Sequence, residues 1–172
     1  IICNDGRNYW RTELFEYYKA NRKKQRKSSN VEWEEFYNIM DVIKEEIISN
    51  LPYKNIQVNE AEADDIIAVI SQRYHMDEDI LIVSSDKDFQ QLQRYPNVYQ
   101  YSPSKKDFIV CENPENFLIE HIIKGDPSDG IPNILSDDDV FIQEDKRQKP
   151  CGKKKIGIIK EELSKWTDTD NW

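Results

Sequence analysis

Ile80-Leu81-Ile82-Val83-Ser84-Ser85-Asp86-Lys87-Asp88-Phe89 sets four consecutive apolar residues against a polar turn that carries two carboxylates. A short apolar run closed by a turn signal is the pattern of a strand buried on both faces, as in parallel sheets, whose crossovers place helices on each side. Phe89-Gln90-Gln91-Leu92 then continues as a helix. Upstream the order recurs: a short strand at about 55–58, the acidic entry Glu60-Ala61-Glu62-Ala63-Asp64-Asp65, and an apolar helix through Ile66, Ile67, Val69 and Ile70. The chain opens on Ile1-Ile2-Cys3-Asn4-Asp5, which reads as the end of a buried strand reaching an acidic turn. Further short strands are expected at 98–101 and 108–110, and a helix at 115–124. Apolar strands alternating with helices predict an α/β fold with a mostly parallel central sheet flanked by helices.

Two more helices follow from spacing. Trp10, Leu14, Phe15 and Tyr18 predict one over about 9–24, with most of these side chains facing the core. Phe36, Met40, Ile43 and Ile47 predict another over about 31–50, with those four as its core face. Between them, residues 23–30 contain no apolar side chain and are expected to be solvated and mobile. From Gly125 onward the chain is less hydrophobic. The expected organisation is a core over 1–124, including a basic segment at about 9–30, and an appendage over 125–172. The first residue is not Met and lies within an expected strand, so a preceding segment is expected.

The 172 residues suffice for a hydrophobic core, although 33% are charged. No apolar run approaches the roughly 18 residues of a membrane span, and nothing reads as an export signal, so the expected compartment is the cytoplasm. Cys3, Cys111 and Cys151 are odd in number and widely spaced, and with His75 and His121 they make no zinc spacing; neither disulfides nor structural zinc are expected. The net charge of −9 hides a basic stretch, residues 7–27, with eight Lys/Arg against two Glu. Phosphate contacts are local, so this asymmetry outweighs the net charge in judging a nucleic-acid partner.

Four acidic clusters stand where strands end or helices begin: Asp5; Glu62, Asp64 and Asp65; Asp86 and Asp88; Asp126 and Asp129. Strand C-termini of a parallel sheet share one edge, and sites form in the crevice there. Carboxylates gathered so closely need cations, and oxygen donors without His or Cys select Mg²⁺ or Mn²⁺. Such a set suits two-metal phosphoryl chemistry. Singly, each cluster also has a plainer reading: Glu62, Asp64 and Asp65 as a helix cap, Asp86 and Asp88 as an Asx turn and cap, Asp126-Pro127-Ser128-Asp129-Gly130 as a turn. Their joint occurrence in this order is what caps alone explain poorly. Lys23–Lys27 alone reads as a solvated face, but aromatic residues interleave with the charges just before it, an arrangement that can hold phosphates and stack unpaired bases.

Glu62-Ala63-Asp64-Asp65, Ser84-Ser85-Asp86-Lys87-Asp88-Phe89 and Gly125-Asp126-Pro127-Ser128-Asp129-Gly130-Ile131-Pro132 resemble the successive acidic motifs of the flap endonuclease/5′-3′ exonuclease superfamily, and residues 9–22 resemble the segment before its helical arch. The resemblance implies a PIN-like/5′-nuclease core. It implies that Asp5, Glu62, Asp64, Asp65, Asp86, Asp88 and Asp129 hold two Mg²⁺ ions, replaceable by Mn²⁺, with Asp126 as an outer participant. It makes Lys19 and Arg22 the catalytic cations at the scissile phosphate, and Arg11, Lys19, Arg22, Lys23, Lys24, Arg26 and Lys27 the nucleic-acid contacts. The implied activity is structure-specific 5′-nuclease cleavage, including ribonuclease H-like primer removal, on 5′ flaps, nicks and RNA–DNA hybrids. The enzyme would act as a monomer without a membrane partner, recruited by a single-stranded-DNA-binding protein or sliding clamp. The family's first strand, with its own Asp, is expected to be missing. After Asn133, Ile134-Leu135-Ser136-Asp137-Asp138-Asp139 replaces the family's glycine-rich segment, so 125–172 matches as a partial, divergent helix-hairpin-helix-like region. A PIN-like ribonuclease and a non-catalytic DNA-binding remnant are the alternatives. A topoisomerase-primase fold would need a Glu in a glycine-rich turn, and the chain has five glycines.

Overall fold

The computed structural model describes residues 1–27 and 29–167. Its elements are β1 (Ile2–Asn4), α1 (Arg11–Leu14), α2 (Ala20–Lys27), α3 (Trp33–Asn50), β2 (Asn55–Gln57), α4 (Ala63–Tyr74), β3 (Ile80–Val83), a 3-10 helix (Lys87–Arg94), β4 (Val98–Ser102), β5 (Asp107–Ile109), α5 (Pro114–Lys124) and α6 (Lys153–Thr167). β1 pairs parallel with β2, with Ile2 opposite Asn55. β3 pairs parallel with β4, with Ile80 opposite Val98, and β5 closes antiparallel on β4. The α/β architecture with parallel pairs is as the sequence predicts.

Local chemistry starts the helices that matter. The Glu62 side chain accepts from the Asp65 backbone while the Asp65 carboxylate accepts from the Glu62 N–H at 3.0 Å, a reciprocal capping box that starts α4. Asn113 accepts from Asn116 N at 2.8 Å and Pro114 occupies the first turn, which starts α5. Gly125 ends α5 at φ +68°, and a Cβ there would lie 2.3 Å from Pro132 O, so only glycine fits.

α4 packs against β1, β2 and β3 and so connects the two sheets. The core centres on Ile82, Phe89, Leu92 and Val98, with Ile67, Ala68, Ile80 and Tyr95 packed against it. Each such large side chain contributes roughly 1.5–3 kcal/mol when buried. This core lies beneath the turn that carries Asp86 and Asp88.

Four expectations are corrected. β3 is not buried on both faces: Ile82 is buried, but Leu81 and Val83 are 53% and 63% exposed. Among the described residues β1 and β3 are each paired on one side only, and both line an open cavity of about 920 Å³ floored by Ile67, Ile70 and Tyr74 of α4. The apolar stripe of α3 is not core either. Phe36, Met40 and Ile43 are exposed and no α3 residue is buried, because helical spacing creates a stripe without supplying an element to cover it. The helix expected over 9–24 divides: Phe15 is extended at φ −142°, and of Trp10, Leu14, Phe15 and Tyr18 only Tyr18 is buried. The basic run does not form a loop but continues α2 to Lys27, since Ala, Arg, Lys and Gln are good helix formers whatever their charge. Ser28 lies outside the described residues, as do the side chains of Lys23, Lys24 and Lys27.

Unpaired apolar edges invite intermolecular pairing. The chain is therefore expected to self-associate as its concentration rises, and Leu81→Lys with Val83→Lys should shift it toward monomer in sedimentation velocity. Equal association by the variant would show that these edges are not the contact.

Candidate metal centre

Each acidic cluster is placed by the element beside it. Asp5 follows β1, and its Oδ1 accepts from Ala63 N at 2.8 Å, joining it to the start of α4. Asp86 ends the β3 loop and caps the 3-10 helix by accepting from Asp88 N at 3.0 Å. Beneath that loop, the buried Gln100 side chain donates to Ser84 O at 2.9 Å and Asp86 O at 2.6 Å, fixing its backbone. Asp126 Oδ1 accepts from Ser128 N at 2.9 Å and Ser128 Oγ at 2.6 Å.

The result is one crevice of about 210 Å³ lined by Asp5, Glu62, Asp64, Asp86, Asp88, Asp126 and Asp129, with Lys19 and Arg22. Seven of the eight acids named from sequence thus share one wall set. The eighth, Asp65, does not line it. Its carboxylate takes a bidentate pair of bonds from Arg11 at 2.7 and 2.8 Å and a third from Trp10 Nε1 at 3.1 Å. Burial alone would raise the Asp65 pKa, but these bonds hold it below the usual carboxylate range. Arg11 is committed to this pair and lies 3.3 Å from Glu62 Oε2, so its guanidinium faces protein carboxylates.

Lys19 and Arg22 reach the crevice through a backbone clamp. Lys19 N donates to Asp129 O at 2.7 Å, Asn21 Nδ2 to Pro127 O at 2.7 Å and Arg22 Nε to Ser128 O at 3.2 Å. Gly130, at φ +75°, lets the two segments close, since a Cβ there would meet Tyr17 O at 2.9 Å. Lys19 itself sits at φ +55°, a left-handed conformation costly for a residue with a side chain. Its ammonium pairs with Glu62 and lies 3.9 Å from Asp129, while Arg22 Nη2 bonds Asp129 Oδ1 at 2.5 Å. Arg26 is exposed and lies over the Trp33 and Tyr37 rings at 5.4 and 5.5 Å.

The acids perturb one another. Burial, then Asp86, Glu62 and Asp5, push the Asp64 carboxyl up to about 6. Burial, then Asp86, raise Asp88 as well. Asp126 is lowered: burial opposes its charge, but Ser128 and Lys87 more than offset that. Because the folded-state pKa of Asp64 lies above its unfolded value, the folded chain holds that proton more tightly. This stabilisation is full below about pH 4 and is lost as pH rises through about 6. In chelator-treated protein, Asp64→Asn should therefore melt higher than wild type at pH 8, with the difference closing below pH 4. A variant that melts lower at pH 8 would show that the repulsion is absent.

Two residues here escaped sequence reasoning. Tyr18 OH donates to Glu62 Oε2 at 2.5 Å and to Asp129 Oδ2 at 3.2 Å; burial first, then the Glu62 bond, raise its pKa. His121 Nε2 lies 3.1 Å from Asp88 Oδ1 and 3.6 Å from Asp126 Oδ2, so the acid set is not free of nitrogen donors as expected. Its only sequence signal is its position five residues before Asp126.

Residues 1–119 match the family model described as 5′-3′ exonuclease, N-terminal resolvase-like domain. Ribonuclease H of Enterobacteria phage T4 is 35% identical over 139 residues, 78% of this chain and 46% of the relative. A 5′-3′ exonuclease of Mycoplasmopsis pulmonis is 34% identical over 143 residues, 78% of this chain and 45% of the relative. The chain thus spans about half the length of these curated relatives. Among solved structures, the D15 protein of phage T5 co-crystallised with metal ions has a TM-score of 0.70 at 21% identity, covering 92% of this chain and 59% of that one. A D15 flap endonuclease pseudo-enzyme-product complex with DNA and metal ions has a TM-score of 0.71 at 21% identity, covering 91% and 57%. These two share the fold.

Proposed function

Since the chain belongs to the family of the 5′-3′ exonuclease N-terminal, resolvase-like domain, we propose that its acidic crevice is the divalent-metal centre of a structure-specific 5′-nuclease. The observation that carries this reading is the convergence of seven carboxylates with Lys19 and Arg22 on one crevice. The relatives, named ribonuclease H and 5′-3′ exonuclease, support it, as does a neighbour of the same fold solved with DNA and metal ions.

The residues fit such ions. The donors are mostly hard oxygens, Asp64 and Asp88 are raised first by burial and then by their neighbouring carboxylates, and Asp88 Oδ1 is buried with His121 Nε2 at 3.1 Å. Asp5, Glu62, Asp64, Asp86, Asp88 and Asp129 would hold two Mg²⁺ ions, with Mn²⁺ able to substitute and Asp126 bracing the site from the buried side. When bound, such ions supply an activated water and stabilise the leaving oxygen of a phosphodiester. Lys19 and Arg22 would orient the scissile phosphate from the rim, and α2, with Arg26 and its neighbouring lysines, would guide the anionic strand toward an otherwise repulsive site. The substrates are 5′ flaps, nicked duplexes and RNA–DNA hybrids.

The test offers the chain a 5′-flap duplex, an RNA–DNA hybrid and single-stranded RNA, with Mg²⁺ or with chelator. Flap or hybrid cleavage that needs Mg²⁺ and leaves a 5′-phosphate is the expected result. Cleavage of single-stranded RNA alone would make the chain a PIN-like ribonuclease, and binding without turnover a non-catalytic DNA-binding protein.

A further inference from the structure

Asp88, His121 and Asp126 are drawn together from three places in the chain, and their ligand atoms all lie within 4.8 Å of one another. Each is oriented by its own support. Asp126 is buried, and because Ser128 takes its Oδ1, its Oδ2 is left facing His121 Nε2 at 3.6 Å. The His121 ring is stacked on Phe117 of the same helix, with centroids 5.7 Å apart and planes 15° from parallel. Asp88 Oδ1 accepts no hydrogen bond among the described residues, yet it is buried and lies 3.1 Å from His121 Nε2. A carboxylate oxygen and an imidazole nitrogen therefore converge at ion-pair distance, where a metal ion can replace the proton between them.

Two ligands about 2.1 Å from one ion lie about 3.0 Å apart at an octahedral edge and about 3.4 Å apart at a tetrahedral one. The observed separations of 3.1 and 3.6 Å lie close to both values. Lys87 Nζ, 3.1 Å from Asp126 Oδ2, is the cation now nearest the pocket, and its half-exposed side chain can turn to solvent. Imidazole favours transition ions over Mg²⁺, which prefers oxygen alone.

We propose that Asp88, His121 and Asp126 form a mixed nitrogen–oxygen pocket that takes a transition-metal ion in preference to Mg²⁺, beside the all-oxygen part of the crevice. This rests on reading the crevice as a divalent-metal centre. His121 makes it selective, and the chain retains one transition ion under Mg²⁺ concentrations that clear the oxygen-only positions.

The probe is Mn²⁺, followed by electron paramagnetic resonance on the full chain with Mg²⁺ in about hundredfold excess. The expected result is one retained Mn²⁺ whose spin-echo signal carries ¹⁴N modulation from a directly bound imidazole. His121→Gln should remove that modulation and weaken this ion at least about tenfold, since losses even in the outer sphere cost that much. The wild-type signal decides the matter even if the variant folds poorly. Retained Mn²⁺ without ¹⁴N modulation would overturn the pocket while leaving the oxygen centre standing. Modulation that persists in a folded variant would overturn it too, and failure to bind Mn²⁺ at all would overturn both readings.

Discussion

Asp88→Asn is expected to lower Mg²⁺-dependent cleavage of a 5′-flap duplex by at least about a hundredfold. Asp88 lies between the two halves of the crevice: it follows the β3 turn, lines the same walls as Asp64 and Asp86, and faces His121 on the other side. Losing its charge would displace the ions by an ångström or so, and misplacement on that scale costs about a hundredfold in rate. The fold should survive. Burial and the neighbouring Asp86 already raise this carboxyl, so a neutral amide relieves repulsion in metal-free protein. Single-turnover rates at saturating Mg²⁺, with melting curves in chelator, test both parts. Near wild-type turnover by a folded variant would remove Asp88 from the centre.

The second large effect belongs to the rim. Lys19→Ala and Arg22→Ala should each lower the single-turnover rate by about 10²–10³, the usual cost of removing one preorganised charge partner of a developing anion. Duplex affinity should change by less than about tenfold, because each variant removes only one of the proposed phosphate contacts. The motivation is geometric. Lys19 is held in a left-handed backbone conformation by its bond to Asp129 O, and both side chains now neutralise Glu62 and Asp129. Bound ions would take over that neutralisation and free both cations for the phosphate. If affinity falls as much as rate, the pair serves binding alone.

How far the sequence could be read depended on the range of the interaction. The strand-then-acid order at Asp5, Asp86 and the start of α4 follows from local patterns, and two parallel pairs bridged by α4 carry those turns to one crevice. Asp65 was legible as a cap, a local property. Its removal from the crevice was not, because Arg11 and Trp10 reach it from 54 and 55 residues away. His121 was illegible for the same reason: its partners include Asp88 on the 3-10 helix, and no metal-ligand spacing links them. The α3 stripe shows the converse, since Phe36, Met40 and Ile43 have core spacing but no element among the described residues buries them. Even in the basic segment, the clamp that ties Asn21 and Arg22 to residues 127–128 is something that periodicity does not report.

The most direct test of the metal-centre account is anomalous diffraction at the manganese edge from crystals of this chain soaked in Mn²⁺. The account predicts peaks inside the crevice, within coordination distance of carboxylate oxygens of Asp64, Asp86 or Asp88. Well-ordered crystals of a chain active with Mn²⁺, showing no peak there, would contradict it.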